Sequence, residues 1–445
     1  MRRSSVAVVT CRHIYTAEAG MESVLTIDAS RVSFGPGALA EIGPRMRVHL
    51  PDGGRIMLVT DPRLRAHEGF EVVAAGLSGA GFEVTVYDQA AVEPTDVSFN
   101  HAVEAARAAD PDGFVSFGGG SVIDTAKAAD LLVSHRGTLY DYVNAPLGAG
   151  MAVPGPLRPH LAAPTTSGTG SEVTGIAIFD YLGAHAKTGV SHGHLRPTEA
   201  VVDPTVTSTL PANVVAASGL DVLCHALESL TARPFTARGI STPASTRPAS
   251  QGANPWSDLG ATEAVRLVGR FLRRAVLDAG DTEARHQMMW AATLAGIAFG
   301  NAGVHVPHAM AYAVAGRVRD YRPDGYPQDH PMVPHGFAVA VNAPAAFRAL
   351  AHTDPDRHLE AAGLLGGDVT GAGPRDAGEV LGATVAALMR DVGAPNGVGG
   401  VGYTEADIDD LVTGAAPQRR LLDNAPSPIH EPELSRLFAD AMRCW

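Results

Sequence analysis

Cysteine is scarce in this chain of 445 residues: Cys11, Cys224 and Cys444 are the only three. An odd count without short spacings gives neither a disulfide framework nor a thiolate zinc motif, and it favours a reducing compartment. Positive charge is also in short supply. Lys and Arg total 34 against 47 Asp and Glu, a net charge of −13 with His neutral. That balance argues against a polyanionic partner such as nucleic acid or an acidic membrane surface, yet it allows a locally positive pocket for a small anion. No run of about 18 apolar residues occurs, so no transmembrane helix is expected. Residues 1–10 are faintly signal-like, but their apolar stretch is only four residues long, short of a signal-peptide core. A cytoplasmic protein is expected, with a short transit peptide as the open alternative. Internal repeats and low-complexity segments are absent as well.

What is present is a packed composition, 45% hydrophobic and 18% charged. The chain is longer than one core normally reaches, so two domains are expected. In the first half, short apolar runs at 55–60, 83–87, 113–117, 161–164 and 200–203 read as strands. Helical spacing at 70–80 and 100–109 falls between them, an alternation that implies βαβ units and a mostly parallel sheet. Beyond Pro211 the pattern turns helical, at 212–230, 258–276, 282–299, 302–318, 378–392 and 432–442. The expected architecture is therefore an α/β nucleotide-binding domain over 1–213 and an all-α metal-binding, catalytic domain over 214–445. Residues 232–255, rich in Pro, Ser, Thr and Arg, read as a long loop or lid.

Two loops carry the signature of a phosphate site. Gly118, Gly119, Gly120 and Ser121 follow an apolar strand and open a helical pattern that contains Asp124. Such glycines let backbone approach a ligand closely, and the helix start offers free N–H groups and a positive dipole end. Glycine-rich turns of this kind also occur without ligands, and the spacing is not the common G-x-G-x-x-G fingerprint. A second loop from Thr165 and Thr166 through Thr169 to Ser171 and Glu172 is dense in small hydroxyls and also follows a strand. Both at strand carboxyl ends, the loops suggest one nucleotide between them. Asp61, after the first strong strand, is placed to bind an adenosine ribose and to favour NAD over NADP; a simple turn or cap explains it equally well.

Further on, Asp221 and His225 sit four apart in a helical pattern and so share one face, where they can grip a divalent ion. His308 lies on a second helical segment and His335 follows a loop. A carboxylate with three imidazoles makes a ligand set that leaves open positions for substrate. Each piece alone is weak, since an Asp–His pair is commonly a surface ion pair and a single His commonly structural. His305, three before His308, is ranked behind the four as a proton carrier or supporting residue.

Taken together, residues 118–127, 165–172, 219–228 and 308–336 resemble the iron-containing alcohol dehydrogenase family, over nearly the whole chain from about Val32. Segments 92–96, 246–252 and 329–336 are similar to its hydroxyacid–oxoacid transhydrogenase branch. The resemblance implies the fold shared by iron alcohol dehydrogenases and dehydroquinate synthase, with the active site between an α/β domain and a helical one. It implies that Asp221, His225, His308 and His335 hold Fe2+, or sometimes Zn2+. It implies further that Asp61, Gly119, Gly120, Ser121, Thr165, Thr166, Ser171 and Lys187 line an NAD site, with Gly118, Asp124 and Thr169 of the same motifs beside them. Many relatives have a further His where this chain has Tyr312, so the proton relay is open between Tyr312, His305 and water. The implied reaction moves hydride between a hydroxy acid or alcohol and an oxo acid or aldehyde, with 4-hydroxybutyrate and 2-oxoglutarate as the transhydrogenase pair. A carboxylate substrate needs a cation, and Arg247 in the Pro-rich segment is the candidate, with a solvated loop residue as the alternative. The other expectations are an ordinary NAD-dependent alcohol dehydrogenase and, more remotely, a dehydroquinate synthase-like cyclase. The latter is disfavoured because 305–336 contains Arg317, Arg319 and Arg322 but no lysine. Homodimer formation is a further expectation.

Overall fold

The apolar runs of the first half become neighbouring strands of one sheet. The computed structural model describes residues 15–184 and 186–445, so the signal-like opening and Cys11 lie outside the described residues. The strands are β1 (Arg31–Phe34), β2 (Gly54–Val59), β3 (Phe82–Tyr87), β4 (Gly113–Gly118), β5 (His160–Pro164), β6 (Ile176–Tyr181), β7 (Ala186–Ser191) and β8 (Glu199–Val202). Six of them form a sheet in the order β1-β8-β5-β4-β2-β3, and every pairing in it is parallel. β4 and β5 are buried along their whole length, which is why they read as unbroken apolar runs rather than alternating ones.

Strand order sets where a ligand can sit. From β2 the chain runs outward to β3, then returns on the other side of β2 to β4. The order therefore reverses between the carboxyl ends of β2 and β4, the crevice where open α/β sheets bind ligands. Thr60 ties these two ends together by donating its hydroxyl to the Phe117 carbonyl at 2.8 Å. Gly118 pairs with Pro164 across β4 and β5, so the loops that follow them lie side by side.

Two features were not foreseen. β1 is a four-residue edge strand with mixed burial, too short to leave an apolar signature. β6 and β7 form a separate antiparallel hairpin, outside the parallel sheet that the alternation announces.

The second half is helical from Ala212 onward. The helix Ala212–Thr231 packs against Pro255–Leu277, Thr282–Ala302 and His335–Ala340. Among the described residues it alone is long and apolar enough, by length and composition, to cross a membrane, although Asn213, Asp221, His225 and Glu228 interrupt its apolar character; 89% of its most apolar window is buried inside the protein. A helix apolar on nearly every side belongs in a core. Residues 232–254 contain only the short 3-10 turns Phe235–Ala237 and Ala244–Thr246. The short helices His335–Ala340, Ala343–Leu350, Pro355–Leu364 and Ile408–Ala415 lay below the reach of periodicity.

The halves meet through glycine. Gly170, at φ +61°, faces Gly296 of the 282–302 helix so closely that a Cβ there would lie 2.6 Å from the Gly296 Cα. Only a residue without a side chain, free to adopt this left-handed conformation, permits the contact. The second small-residue loop is thereby pressed onto the helical half.

Candidate metal centre

Asp221 and His225 project from one face of the 212–231 helix, as their spacing requires. His308 comes from the first turn of Val306–Gly316, and His335 opens His335–Ala340. One ligand atom from each lies within 4.8 Å of every other. Asp221 Oδ1 stands at the centre, 3.6 Å from His225 Nε2, 3.6 Å from His308 Nε2 and 3.8 Å from His335 Nε2. These separations exceed a hydrogen bond, and both Asp221 Oδ1 and His308 Nε2 are buried without a hydrogen-bond partner. Buried polar atoms are rarely left so. A divalent cation among the four would satisfy them, so the residues fit a metal ion.

Packing fixes each ring. His225 stacks on Phe299 with centroids 4.0 Å apart and planes at 11°. His335 is carried in because Gly336 meets the 212–231 helix so closely that a Cβ there would lie 1.9 Å from the Ala217 carbonyl oxygen. Behind His308 stands Glu228, fully buried and two turns on from Asp221 along the same helix. One carboxylate oxygen accepts from the backbone N–H of His305 at 3.2 Å and of His308 at 3.1 Å. The other is bonded to His308 Nδ1. Glu228 thus caps a helix that has no side-chain cap of its own, a favourable place for negative charge. It also holds the His308 proton on Nδ1, leaving Nε2 to face the cluster.

The electrostatics agree. Burial opposes charge on His308, but Glu228 and Asp221 outweigh it and raise its pKa to about 9. Burial likewise opposes ionised Asp221, and His225, His335 and His308 around it pull its pKa down. His225 is pushed down to about 4, chiefly by burial, so its ring is neutral and able to donate a lone pair.

A cavity opens beside this cluster, and Gly120, Ser121, Asp124, Thr169, Ser171 and Lys187 of the expected cofactor set line it. Gly118, Gly119, Thr165 and Thr166 lie at the strand ends behind. Gly119 caps the helix Gly120–Ser134 without a side-chain bond, leaving the start of that helix open to an anion. A Cβ on Gly120 would come 2.6 Å from Thr169 Oγ1, so glycine is needed for the two loops to meet. Asp124 is spent internally: it bonds the Ser171 hydroxyl and accepts from the Ile178 N–H at 2.9 Å. Asp61 accepts from the N–H groups of Arg63 at 2.8 Å and Leu64 at 3.2 Å through one oxygen. It sits at the switch point while serving as the turn cap that was the alternative.

Lys187 is one of only two lysines in the chain. It is clamped by Glu93 at 2.6 Å and Asp180 at 3.1 Å. Burial opposes its charge, but the two carboxylates outweigh it and raise its pKa. Glu93, Asp180 and Glu228 were not singled out from the sequence; the helical spacing of Asp221, His225 and Glu228 was the one available signal.

The remaining expectations divide. Tyr312, one turn after His308, lines the cavity. His305 is fully buried with Nε2 engaged by Thr231 Oγ1 at 2.9 Å, and it is not part of the cavity wall. Arg247 requires correction. Its Nε and one terminal nitrogen lie 3.3 Å from Glu22 Oε2, and the other meets Thr26 Oγ1 at 2.8 Å. Its charge is neutralised on the 22–26 segment, away from the cavity lining.

Residues 29–204 match the family described as iron-containing alcohol dehydrogenase, and 248–442 match the C-terminal part of the same family. The hydroxyacid–oxoacid transhydrogenase, mitochondrial, of Bos taurus is 43% identical, covering 100% of this chain and 97% of its own. Its Xenopus laevis counterpart is 45% identical over 94% of this chain and 90% of its own. The chain belongs to the iron-containing alcohol dehydrogenase family. It is accordingly a metal-dependent oxidoreductase. Its fold superposes on a crystal structure of 1,3-propanediol oxidoreductase with a TM-score of 0.81 at 29% identity, covering 94% of this chain and 100% of that one. The relatives also correct the expected cytoplasmic location, because they are named mitochondrial. Cysteine content alone does not separate the compartments in which such a chain could act.

Proposed function

We propose that this family member is a hydroxyacid–oxoacid transhydrogenase, oxidising a hydroxy acid of the 4-hydroxybutyrate type while reducing an oxo acid of the 2-oxoglutarate type at one site. The observation that carries the reading is the convergence of Asp221, His225, His308 and His335 on one wall of the cavity that two small-residue loops line. The relatives that bear this name at 43–45% identity supply the substrate class. When bound, ferrous iron supplies Lewis acidity at the substrate oxygen, and NAD supplies the hydride carrier between the two half-reactions.

The chain's own residues do the rest. Asp221, His225, His308 and His335 hold the ion, and Glu228 keeps the His308 proton on Nδ1 so that Nε2 is free to ligate. The open start of the 120–134 helix and the 165–171 loop bind the dinucleotide phosphates. Lys187, fixed between Glu93 and Asp180, shapes the wall beside the ligands. The Tyr312 phenol is the proposed proton carrier at the cavity, held neutral by burial.

The test is to load the purified protein with iron and incubate it with 4-hydroxybutyrate and 2-oxoglutarate without added NAD. Formation of 4-oxobutanoate and 2-hydroxyglutarate in equal amounts is expected. A protein that needs added NAD and accumulates NADH from a simple diol would instead be an alcohol dehydrogenase, the reading that the likeness to 1,3-propanediol oxidoreductase favours.

A further inference from the structure

Charge around the cavity is unevenly matched. Lys187 is compensated by two carboxylates, Glu93 and Asp180, so that corner already carries more negative charge than positive. A substrate carboxylate entering there would be repelled. Arg420, half-buried in the short helix Arg419–Leu422, lines the same cavity. Among the described residues no carboxylate forms an ion pair with it, whereas its neighbour Arg419 turns outward to Asp423. Its guanidinium lies against the Tyr312 hydroxyl.

The segment is held firmly enough to aim that side chain. Leu421 and Leu422 are buried in the core of the helical half, and Gln418 donates to the Lys187 carbonyl at 3.3 Å. Arg420 also lines the adjoining small pocket with Asn144 and Gln418. It is thus a cation without a protein counter-ion, facing the same space as the four ligand residues.

We propose that Arg420 is the carboxylate anchor of the hydroxy acid and oxo acid, a role resting on the transhydrogenase reading above. A guanidinium binds a carboxylate through two parallel N–H bonds and so fixes orientation as well as affinity. The Tyr312 phenol, the proposed proton carrier, lies beside it. The anchor lies beside Tyr312, one helical turn from the ligand His308.

The experiment compares wild type, Arg420→Gln and Arg420→Lys, with Arg419→Gln as control. Two readouts are used: kcat and KM for 4-hydroxybutyrate against 1,4-butanediol, and calorimetric binding of glutarate, an unreactive dicarboxylate, to the iron-loaded protein. Arg420→Gln is expected to lower the preference for hydroxy acid over diol roughly 10- to 100-fold, mostly through KM, and to weaken glutarate by a similar factor. Arg420→Lys recovers part of both, and Arg419→Gln matches wild type. Equal losses on acid and diol, or unchanged glutarate binding in Arg420→Gln, would overturn the anchor while leaving the transhydrogenase reading intact. A wild-type protein that oxidises the diol but no hydroxy acid would overturn the functional reading itself, and the anchor with it.

Discussion

Replacing Glu228 by glutamine alters one oxygen of a fully buried carboxylate, and its consequence can be worked from three bonds. One oxygen serves the backbone N–H groups of His305 and His308, and the other serves His308 Nδ1. A glutamine that keeps its carbonyl on the backbone pair turns its NH2 toward Nδ1. His308 must then move its proton to Nε2, the atom that faces the cluster. The flipped amide instead sets NH2 against two backbone N–H donors, leaving buried groups unpaired at about 1–3 kcal/mol. Either way the loss falls on the ligand, and removing such a supporting bond ordinarily costs about 10- to 100-fold in metal affinity, or roughly 1.4–2.8 kcal/mol. Chelator competition at fixed pH measures that affinity directly. Melting with and without metal is an independent check, since a 100-fold weaker site loses up to about 2.7 kcal/mol of metal-induced stabilisation. If Glu228→Gln bound iron as wild type does, with only the metal-free protein destabilised, Glu228 would be a helix cap and nothing more.

Three other perturbations are read from stability and metal content. Asp130 is buried, and its pKa is raised to about 7 chiefly by desolvation. Folded protein therefore holds a proton that unfolded protein releases near pH 4, and stability falls as pH rises from about 4 through about 7. Asp130→Asn keeps the acceptor for Ser134 and the Arg158 N–H, so urea titrations should show a gain of up to roughly 3–4 kcal/mol at pH 8 and little at pH 4. Gly336→Ala forces a methyl group onto the Ala217 carbonyl; a loss of about 2–4 kcal/mol in denaturant is expected, together with reduced iron content because His335 is displaced. Lys187→Met leaves Glu93 and Asp180 facing each other, and breaking such a buried group costs about 3–5 kcal/mol. A melting temperature equal to wild type would refute that.

The helical and strand periods made much of this molecule readable in advance. Asp221 and His225 could be paired because a helix repeats every 3.6 residues, and β2, β4 and β5 because buried parallel strands are continuous apolar runs. The glycine-rich loops announced themselves by position after those strands. Where the expectations failed, the deciding contact lay far along the chain. Arg247 and Arg420 are both arginines in polar, loop-like surroundings, and no local pattern separates them. Glu22, 225 residues from Arg247, neutralises one; the absence of any such carboxylate beside the other is visible only after folding. Cytoplasm and mitochondrion are likewise the same to a chain with three cysteines.

The pattern of those failures bears on how the site works. Of the four candidate ligands, Asp221 and His225 are set by one helical spacing, whereas His308 and His335 come from separate elements. The groups around them, Glu228 on His308 and the Glu93–Asp180–Lys187 cluster beside His335, are joined by contacts across 80 and 94 positions. Glu93 joins that cluster to His335: it pairs with Lys187, and it accepts the backbone N–H of His335. Through that carboxylate the α/β half contacts the last of the four candidate ligands, so the placement of His335 depends on both halves of the chain.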